Sequence, residues 1–526
     1  MEKKWDVIVI GTGMGGATIG YYLSKHGKKV LFLEKGLSHD AHCTEQNNIS
    51  KLKSAKDRFY NGYWPDKITY IKKASLTEIY PVAGCGSGGS TTLYASQLER
   101  FFKEDFEPRK NFPHVSDTTL PNKWPVTFDE MLPYYEAAEK LFRVRGTPDP
   151  LNSRIGSEYY PAPKISDNDH QVFETLKVAG LHPYRAHVAC EFVLGCTECV
   201  GQICSKDCKN DARKICLNPA INNYGAEIIN QCEVLKLEAD GSNISGVVCS
   251  VNNKTVEFRA DIVVLAAGGL HTPAILLKSK SDHWPNGLSN SSGLVGRNLM
   301  WHASDFIAVK SFNFKSSVGA RKALAFNDFY FHNGTKMGTV QSVGVSVDFE
   351  YILSYAKRVK SKFPKLVQFI LHDFICRTVA KIGGCVFKNT VLLVTIVEDL
   401  PYLHNRVFVD DLNNRKIVFE YSFTSELRAR SSGLIKKVSE ALRNYWVIRL
   451  SRRSESINFG HPCGTCRFGD DPKSSVLNQN NRSHDIDNLY VCDASFFPSS
   501  GGTNPSLTIA ANAIRVAEKI LGRGVK

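Results

Sequence analysis

Gly11-Thr-Gly13-Met-Gly-Gly16 has the spacing of a phosphate-cradling loop. In such a loop the first glycine allows a tight turn, the second lets a pyrophosphate approach the backbone, and the third lets helix and strand pack closely. The triplet is weak alone, but its context is strong. Asp6-Val-Ile-Val-Ile10 reads as a strand before it and Ala17 to Leu23 as a helix after it. Val30-Leu-Phe-Leu33 then reads as a second strand, closed by Glu34. A carboxylate at that point accepts hydrogen bonds from ribose hydroxyls, so the unit reads as a dinucleotide site, for NAD or FAD.

A second set is the run Cys190-x5-Cys196-x2-Cys199-x4-Cys204-x3-Cys208-x7-Cys216, six of the chain's 15 cysteines. Thiolates at such intervals reach one iron–sulfur cluster or one tetrahedral zinc. Cys196, Cys199, Cys204 and Cys208 are the closest spaced and form the candidate ligand set; Cys190 and Cys216 substitute or lie outside. The reading places iron–sulfur ahead of zinc, with a metal-free thiol-rich loop as the alternative. Cys463-x2-Cys466 lacks the βαβ context of a thioredoxin-like pair and reads as packing.

These residues need a large scaffold. The chain has 526 residues, 43% apolar and 22% charged, which excludes a disordered, collagenous or coiled-coil protein. Val7 to Ser24 is uncharged, but its glycines and threonines interrupt it as a membrane span. Further strands are expected at Asp261–Ala267 and Leu489–Asp493, a helix over Pro505–Leu521, and a loop over Ser38–Arg58. The nucleotide-binding pieces therefore fall at both ends and in the middle, so the domains interleave. Lys3 and Lys4 before an apolar stretch imitate a secretory signal. Asp6, the lack of a small-residue cleavage site and the phosphate loop itself argue instead for an uncleaved cytoplasmic chain. Lys plus Arg exceeds Asp plus Glu by 66 to 52, a net +14. That surface favours anionic partners, but the charge is spread along the chain, so nucleic acid is not expected. Tyr351–Phe387 gathers Lys357, Arg358, Lys360, Lys362 and Lys365 beside Leu366–Leu371. It reads as a solvated basic helix, with peripheral contact to an anionic membrane as the alternative.

Beyond the first loop, five motifs occur in one order: Gly86-Ser-Gly-Gly-Ser90, Ala266-Ala-Gly-Gly-Leu-His-Thr-Pro273, Gly293-Leu-Val-Gly-Arg-Asn298, His461-Pro-Cys-Gly-Thr-Cys466 and Asp493 through Asn504-Pro505. Together they resemble the glucose–methanol–choline family of FAD-dependent alcohol oxidoreductases. Trp124-Pro-Val-Thr-Phe and Asn405-Arg-Val resemble its connecting motifs. The resemblance implies an α/β chain: a doubly wound FAD-binding domain (1–125, 215–300, 455–526), interleaved with a substrate domain (126–214, 301–454) built on an antiparallel sheet covered by helices. It places Gly88, Gly89 and Ser90 against flavin and pyrophosphate, Val234 against adenine, and Asp493 on the ribityl chain. No histidine lies near the Gly88 loop before His114, so FAD is expected to be noncovalent.

The resemblance makes His461 the base that takes the hydroxyl proton and Asn504 the group that holds the substrate oxygen. A base with a pKa near neutrality suits that task. His271 and His302 lie in motif segments and read as structural. Cys204-x3-Cys208-Lys-Asn-Asp-Ala resembles the iron–sulfur segment of bacterial FAD sugar dehydrogenases, favouring a dehydrogenase over an oxygen-using oxidase. Asp399-Leu-Pro401 points the same way, so a sugar, glycoside or cyclic alcohol is the expected substrate. The rivals are a flavin–disulfide oxidoreductase and a catalytically silent, metal-stapled nucleotide-binding protein.

Overall fold

The computed structural model describes the chain except residues 1–4, 39–51, 53, 73–74, 153–157, 317, 346–351, 354–355, 358–359, 361–363, 365–372, 412–415, 451–458 and 524–526. Arg358, Lys362, Lys365 and Leu366–Leu371 thus lie outside the described residues.

Five parallel strands form one sheet, in the order Leu489–Val491, Ala260–Leu265, Trp5–Ile10, Val30–Leu33, Glu227–Ile229. Val7, Ile8 and Val9 are wholly buried. The unbroken β-branched run is what a strand covered on both faces requires. Helix Met14–Lys25 packs on Ser506–Ile520, burying Ala17, Ile19 and Leu23. The chain winds outward on one side of Trp5–Ile10 and then on the other. The strand order therefore reverses there, and a crevice opens at the carboxyl ends of the strands.

The second large sheet is antiparallel, in the order Ala325–Phe326, Gly338–Ser342, Val391–Glu398, Phe306–Lys310, Trp446–Arg449, with His302–Ala303 also pairing on Val391–Glu398. Alternate residues of a strand face opposite ways. Val391, Leu393 and Val397 pack in one core with Leu176 of helix Asp167–Val178 and Leu434 of helix Ser425–Ala441. Leu392, Val394 and Ile396 line the large cavity instead. One face of the sheet is core and the other is a wall of the site, as the expected fold class requires.

The Trp124 motif has a clear physical role. Its indole is buried among Phe101, Phe106, Phe468, Phe496 and Phe497 and donates to Ser499 Oγ at 2.7 Å. It anchors the 493–504 loop before Thr127 and Glu130 cap helix Phe128–Leu141. One expectation needs correction. The polar segment Ser38–Arg58 is not all loop, because Ala55–Tyr60 is helical, held by a capping box between Ser54 and Asp57. Six residues carry too little apolar periodicity to reveal it. Among the described residues no helix is long and apolar enough to cross a membrane.

Candidate active site

A cavity of about 930 Å³ opens at the strand switch point. Gly11, Gly13, Glu34 and Val234 line it, as do Gly89, Ser90, Asp493, His461 and Asn504. The sequence-derived residues thus converge on one space. Among the nucleotide and catalytic candidates Gly16 and Gly88 are the exceptions and lie behind the wall; of the candidate cysteines only Cys199 lines it.

The glycines divide their work as expected. A Cβ on Gly16 would lie 2.1 Å from Gly11 O, so this glycine lets helix meet strand. A Cβ on Gly13 would meet nothing within 4 Å, on the side where a phosphate must sit. A Cβ on Gly89 would lie 2.8 Å from Gly13 Cα, so the two glycine loops touch backbone to backbone. Helices Met14–Lys25 and Ser506–Ile520 both begin at the cavity, and neither has a side-chain cap. Their unsatisfied N–H groups and positive dipole ends suit a pyrophosphate and an electron-accepting ring. These features fit FAD.

The two carboxylates do more than expected. Glu34 accepts from Thr12 N at 3.1 Å and Thr12 Oγ1 at 2.6 Å through one oxygen, and from Gly36 N at 2.9 Å and Gly86 N at 3.1 Å through the other. It sutures the phosphate loop to the second glycine turn while facing the cavity. Burial pushes its acid up, against those four bonds. Asp493 likewise accepts from Gly268 N and Ser495 N, each at 2.8 Å, and from the hydroxyls of Thr272 and Ser495. It is at once the turn cap of Ala494–Phe496 and a tie across the crevice. His271 sits on the cavity wall with its ring 3.7 Å from the Trp64 ring centroid, a platform that sequence reading did not find.

A prediction follows from the glycines. Gly13→Ala should fold normally, since its φ of −68° and open side admit a methyl group. It should nonetheless lose FAD affinity by about 1–3 kcal/mol, the range for overpacking. Gly16→Ala should destabilise the fold itself. Thermal melts of FAD-stripped protein, with fluorescence titration of FAD, separate the two. A Gly13→Ala protein that binds FAD like the wild type contradicts the cradle.

On the same cavity wall, His461 Nδ1 lies 3.2 Å from His302 Nδ1. The His461 loop is latched by paired backbone bonds between Met300 and Cys463, at 2.9 and 3.0 Å. Burial and the neighbouring His302 push the His461 imidazole down to about 3, so it is neutral at ordinary pH. Asn504 is buried on the same wall, and its Oδ1 has no partner among the described residues. A buried amide oxygen without a partner costs free energy that a bound hydroxyl or cofactor group recovers. Cys463 and Cys466 are fully buried and lie off the cavity wall, as packing residues.

The cysteine loop folds back on itself. Cys196 Sγ is 3.9 Å from Cys190 Sγ and 3.3 Å from Cys208 Sγ, and Cys204 Sγ is 3.3 Å from Cys208 Sγ. Cys190, Cys196 and Cys208 all lie within 4.8 Å of one another. Cys190 therefore joins the group, brought in by its bridge to Lys209. Cys216 lies apart, in the core against Thr18 Oγ1 at 3.7 Å. Two buried lysines flank the sulfurs: Lys209, which donates to Thr92 O and Gln202 O, and Lys322, which donates to the Cys199 carbonyl. Thr197, Glu198, Cys199 and Val200 carry the loop onto the cavity wall.

A glycine cradle at the switch of a parallel sheet, sharing one cavity with a neutral histidine and an asparagine, defines a dinucleotide-dependent oxidoreductase. Two models of the family described as GMC oxidoreductase match residues 126–304 and 424–513, just over half of the chain between them. An NAD(P)-binding Rossmann-like domain matches residues 9–48. The chain belongs to the GMC oxidoreductase family, and it is an FAD-dependent enzyme acting on CH–OH donors. It is similar to paromamine 6'-oxidase of Streptomyces fradiae, at 27% identity over 99% of this chain and 92% of that one. It is also similar to 2-methyl-1,2-propanediol dehydrogenase of Mycolicibacterium austroafricanum, at 26% identity over 98% and 95%. Among solved structures it shares the fold of pyridoxine 4-oxidase from Mesorbium loti, with a TM-score of 0.67 at 18% identity over 99% and 100% of the two chains. The flavin–disulfide and catalytically silent rivals are not favoured.

Proposed function

We propose that this chain oxidises a secondary or primary hydroxyl of a sugar, glycoside or cyclic alcohol, with His461 as the base and Asn504 as the substrate-oxygen ligand. The observation that carries the reading is that both residues line the same cavity as the nucleotide cradle. His461 takes the hydroxyl proton, and FAD, when bound, accepts the hydride from the carbinol carbon, leaving a carbonyl. Gly11, Gly13, Gly89 and Ser90 hold the dinucleotide, Val234 borders its adenosine end, and Glu34 and Asp493 fix the loops around it. The division into FAD-binding segments (1–125, 215–300, 455–526) and substrate-binding segments (126–214, 301–454) is part of the proposal. It is supported by a parallel sheet drawn from the first set and an antiparallel sheet drawn from the second. The test is a product screen. Sugars, aminoglycosides, cyclic diols and short aliphatic diols are incubated with an artificial electron acceptor, and carbonyl products are trapped as hydrazones. Carbonyl from the first three classes supports the substrate class; carbonyl from the aliphatic diols alone overturns it.

The same proposal includes a metal–thiolate centre at Cys196, Cys199, Cys204 and Cys208, with Cys190 close enough to Cys196 and Cys208 to substitute. Five sulfurs in one loop repel one another as thiolates, and a bound cation removes that penalty. Buried Lys209 and Lys322 offset the negative charge of such a centre. An iron–sulfur cluster held by these sulfurs would offer electrons a route out of the flavin cavity, whereas zinc would only staple the loop. Elemental analysis of protein purified without oxygen should find iron with acid-labile sulfide. Zinc alone removes the electron route, and neither metal removes the centre.

A surface feature supports peripheral contact with an anionic membrane. On helix Asp373–Phe387, Ile375, Val379 and Ile382 form an exposed apolar stripe, next to exposed Phe374, Arg377 and Lys381. Lys357 and Lys360 are partly neutralised by Asp373. Arg377→Gln with Lys381→Gln should abolish sedimentation with phosphatidylserine vesicles. Equal sedimentation of wild type with neutral and anionic vesicles would leave a solvated helix.

A further inference from the structure

We infer that His302 is a positioning residue that fixes the proton of His461 on Nδ1, so that His461 Nε2 carries the lone pair that meets the substrate. The inference rests on the reading of His461 as the base. His302 is wholly buried on the short strand His302–Ala303, whose pairing with Glu398 and Val397 leaves it little freedom. Its Nε2 lies 3.0 Å from Gly501 O and 3.2 Å from Ser500 O. Carbonyl oxygens only accept, so His302 Nε2 carries its proton. A neutral imidazole then presents a bare Nδ1, and the group facing that atom is His461 Nδ1, at 3.2 Å. The contact is a hydrogen bond only if His461 Nδ1 donates, and this assigns the His461 tautomer.

The arrangement chains both catalytic candidates to one buried ring. On one side His302 meets His461; on the other it donates to the loop that runs from Ser500 to Asn504. That loop is itself fixed: Gly501 N donates to Glu398 Oε1 at 3.2 Å and Gly502 N to Tyr330 Oη at 2.7 Å. A protonated His302 would reverse the polarity. Burial, with the nearby Lys336 ammonium, opposes that state and pushes its imidazole down to about 4. Glu398, the cross-strand partner of His302, is itself paired with Lys336. Tautomer choice is decisive for a base, because the wrong tautomer presents an N–H to the hydroxyl it must deprotonate.

Two amide substitutions split the two ends of the ring. Asn places its oxygen at the Nδ1 position, so His302→Asn keeps the acceptor for His461. Gln reaches the Nε2 position, so His302→Gln keeps only the donor toward Gly501. The test uses FAD-loaded protein labelled with 15N-histidine, in which the His461 ring is assigned by its loss in His461→Ala. The wild-type spectrum should show His461 protonated on Nδ1, His302→Asn should keep that state, and His302→Gln should shift it toward Nε2–H. The limiting rate of anaerobic FAD bleaching by paromamine or a cyclic diol should fall about 10²-fold in His302→Gln, as lost general-base catalysis implies, with the half-saturating alcohol concentration little changed. It should fall far less in His302→Asn, and His302→Gln should cost nothing further in a His461→Ala background. Wild-type His461 protonated on Nε2, or equal losses in the two amide variants, would overturn the inference. The wild-type spectrum decides even if a variant fails to fold. If His461 shows Nδ1–H yet neither alcohol bleaches the flavin, the tautomer assignment stands and the proposed activity is what fails.

Discussion

His461→Ala should slow reduction of bound FAD by alcohol by about 10²–10⁴-fold, the span that loss of a general base covers. Flavin content should stay near that of the wild type, because the loop of His461 is held through its backbone, Cys463 to Met300, Gly464 to Ala494 and Cys466 to Ser495, which the substitution leaves in place. Asn504→Ala should be milder, since an amide orients the substrate oxygen without taking its proton. The pH dependence carries a sign of its own. A base works deprotonated, and burial holds the His461 imidazole down to about 3 rather than near its usual value. The bleaching rate should therefore stay flat from about pH 8 to about pH 5, where an ordinary histidine titrates. Stopped-flow absorbance without oxygen measures both effects. Rapid bleaching in the alanine variant removes His461 from the reaction.

The second large effect is on stability. Lys336 pairs with Asp105 and Glu398, and all three side chains are wholly buried. The two acids are not idle: Asp105 accepts from Tyr330 Oη at 2.8 Å and Phe102 N at 2.7 Å, and Glu398 accepts from Gly501 N. Burial pushes the Lys336 ammonium down, yet the two carboxylates outweigh that and hold it above its usual range. Lys336→Met removes the cation that pairs with both buried carboxylates, a loss of about 3–5 kcal/mol. Burial already pushes the Glu398 acid up, and losing the Lys336 ammonium raises it further. The deficit is then largest at neutral pH and shrinks as pH falls through that raised value, because the folded state takes up a proton. Adding Glu398→Gln to Lys336→Met should recover part of the loss. Chemical denaturation at pH 7.5 and 5.5 checks this. A single variant that melts like the wild type at both pH values contradicts it.

Legibility in the sequence followed the range of the contacts. The phosphate cradle was readable because strand, glycines and helix are adjacent in the chain, and each glycine performs a local steric task. His461 and Asn504 were readable only through the ordered motifs; nothing in their own neighbourhood distinguishes them from other polar loop residues. The cysteine spacing pointed to one cluster, but Cys190 enters it through a chain reversal against Lys209 that spacing does not encode. Lys209 and Lys322 beside the sulfurs were hidden, since a lysine that will be buried looks like any other. The Asp105–Lys336–Glu398 group unites three segments distant in sequence and left no trace. His302 read as structural, and its link to the base became visible only once both ring nitrogens had partners. Glu34 and Asp493 were legible as candidate cofactor ligands, but their ties to Gly86 and Thr272 depend on loops that meet only in the folded chain.

The most direct test of the central claim is the absorption spectrum of freshly purified protein, recorded without oxygen as alcohol is added stepwise. The protein should be yellow, and its visible band should be lost on adding an aminoglycoside or cyclic alcohol, with one carbonyl formed for each FAD bleached. Acid precipitation should then leave the colour in the supernatant, because the cofactor is held without a covalent bond. A colourless protein, or a yellow one that no alcohol bleaches while dithionite does, would contradict it.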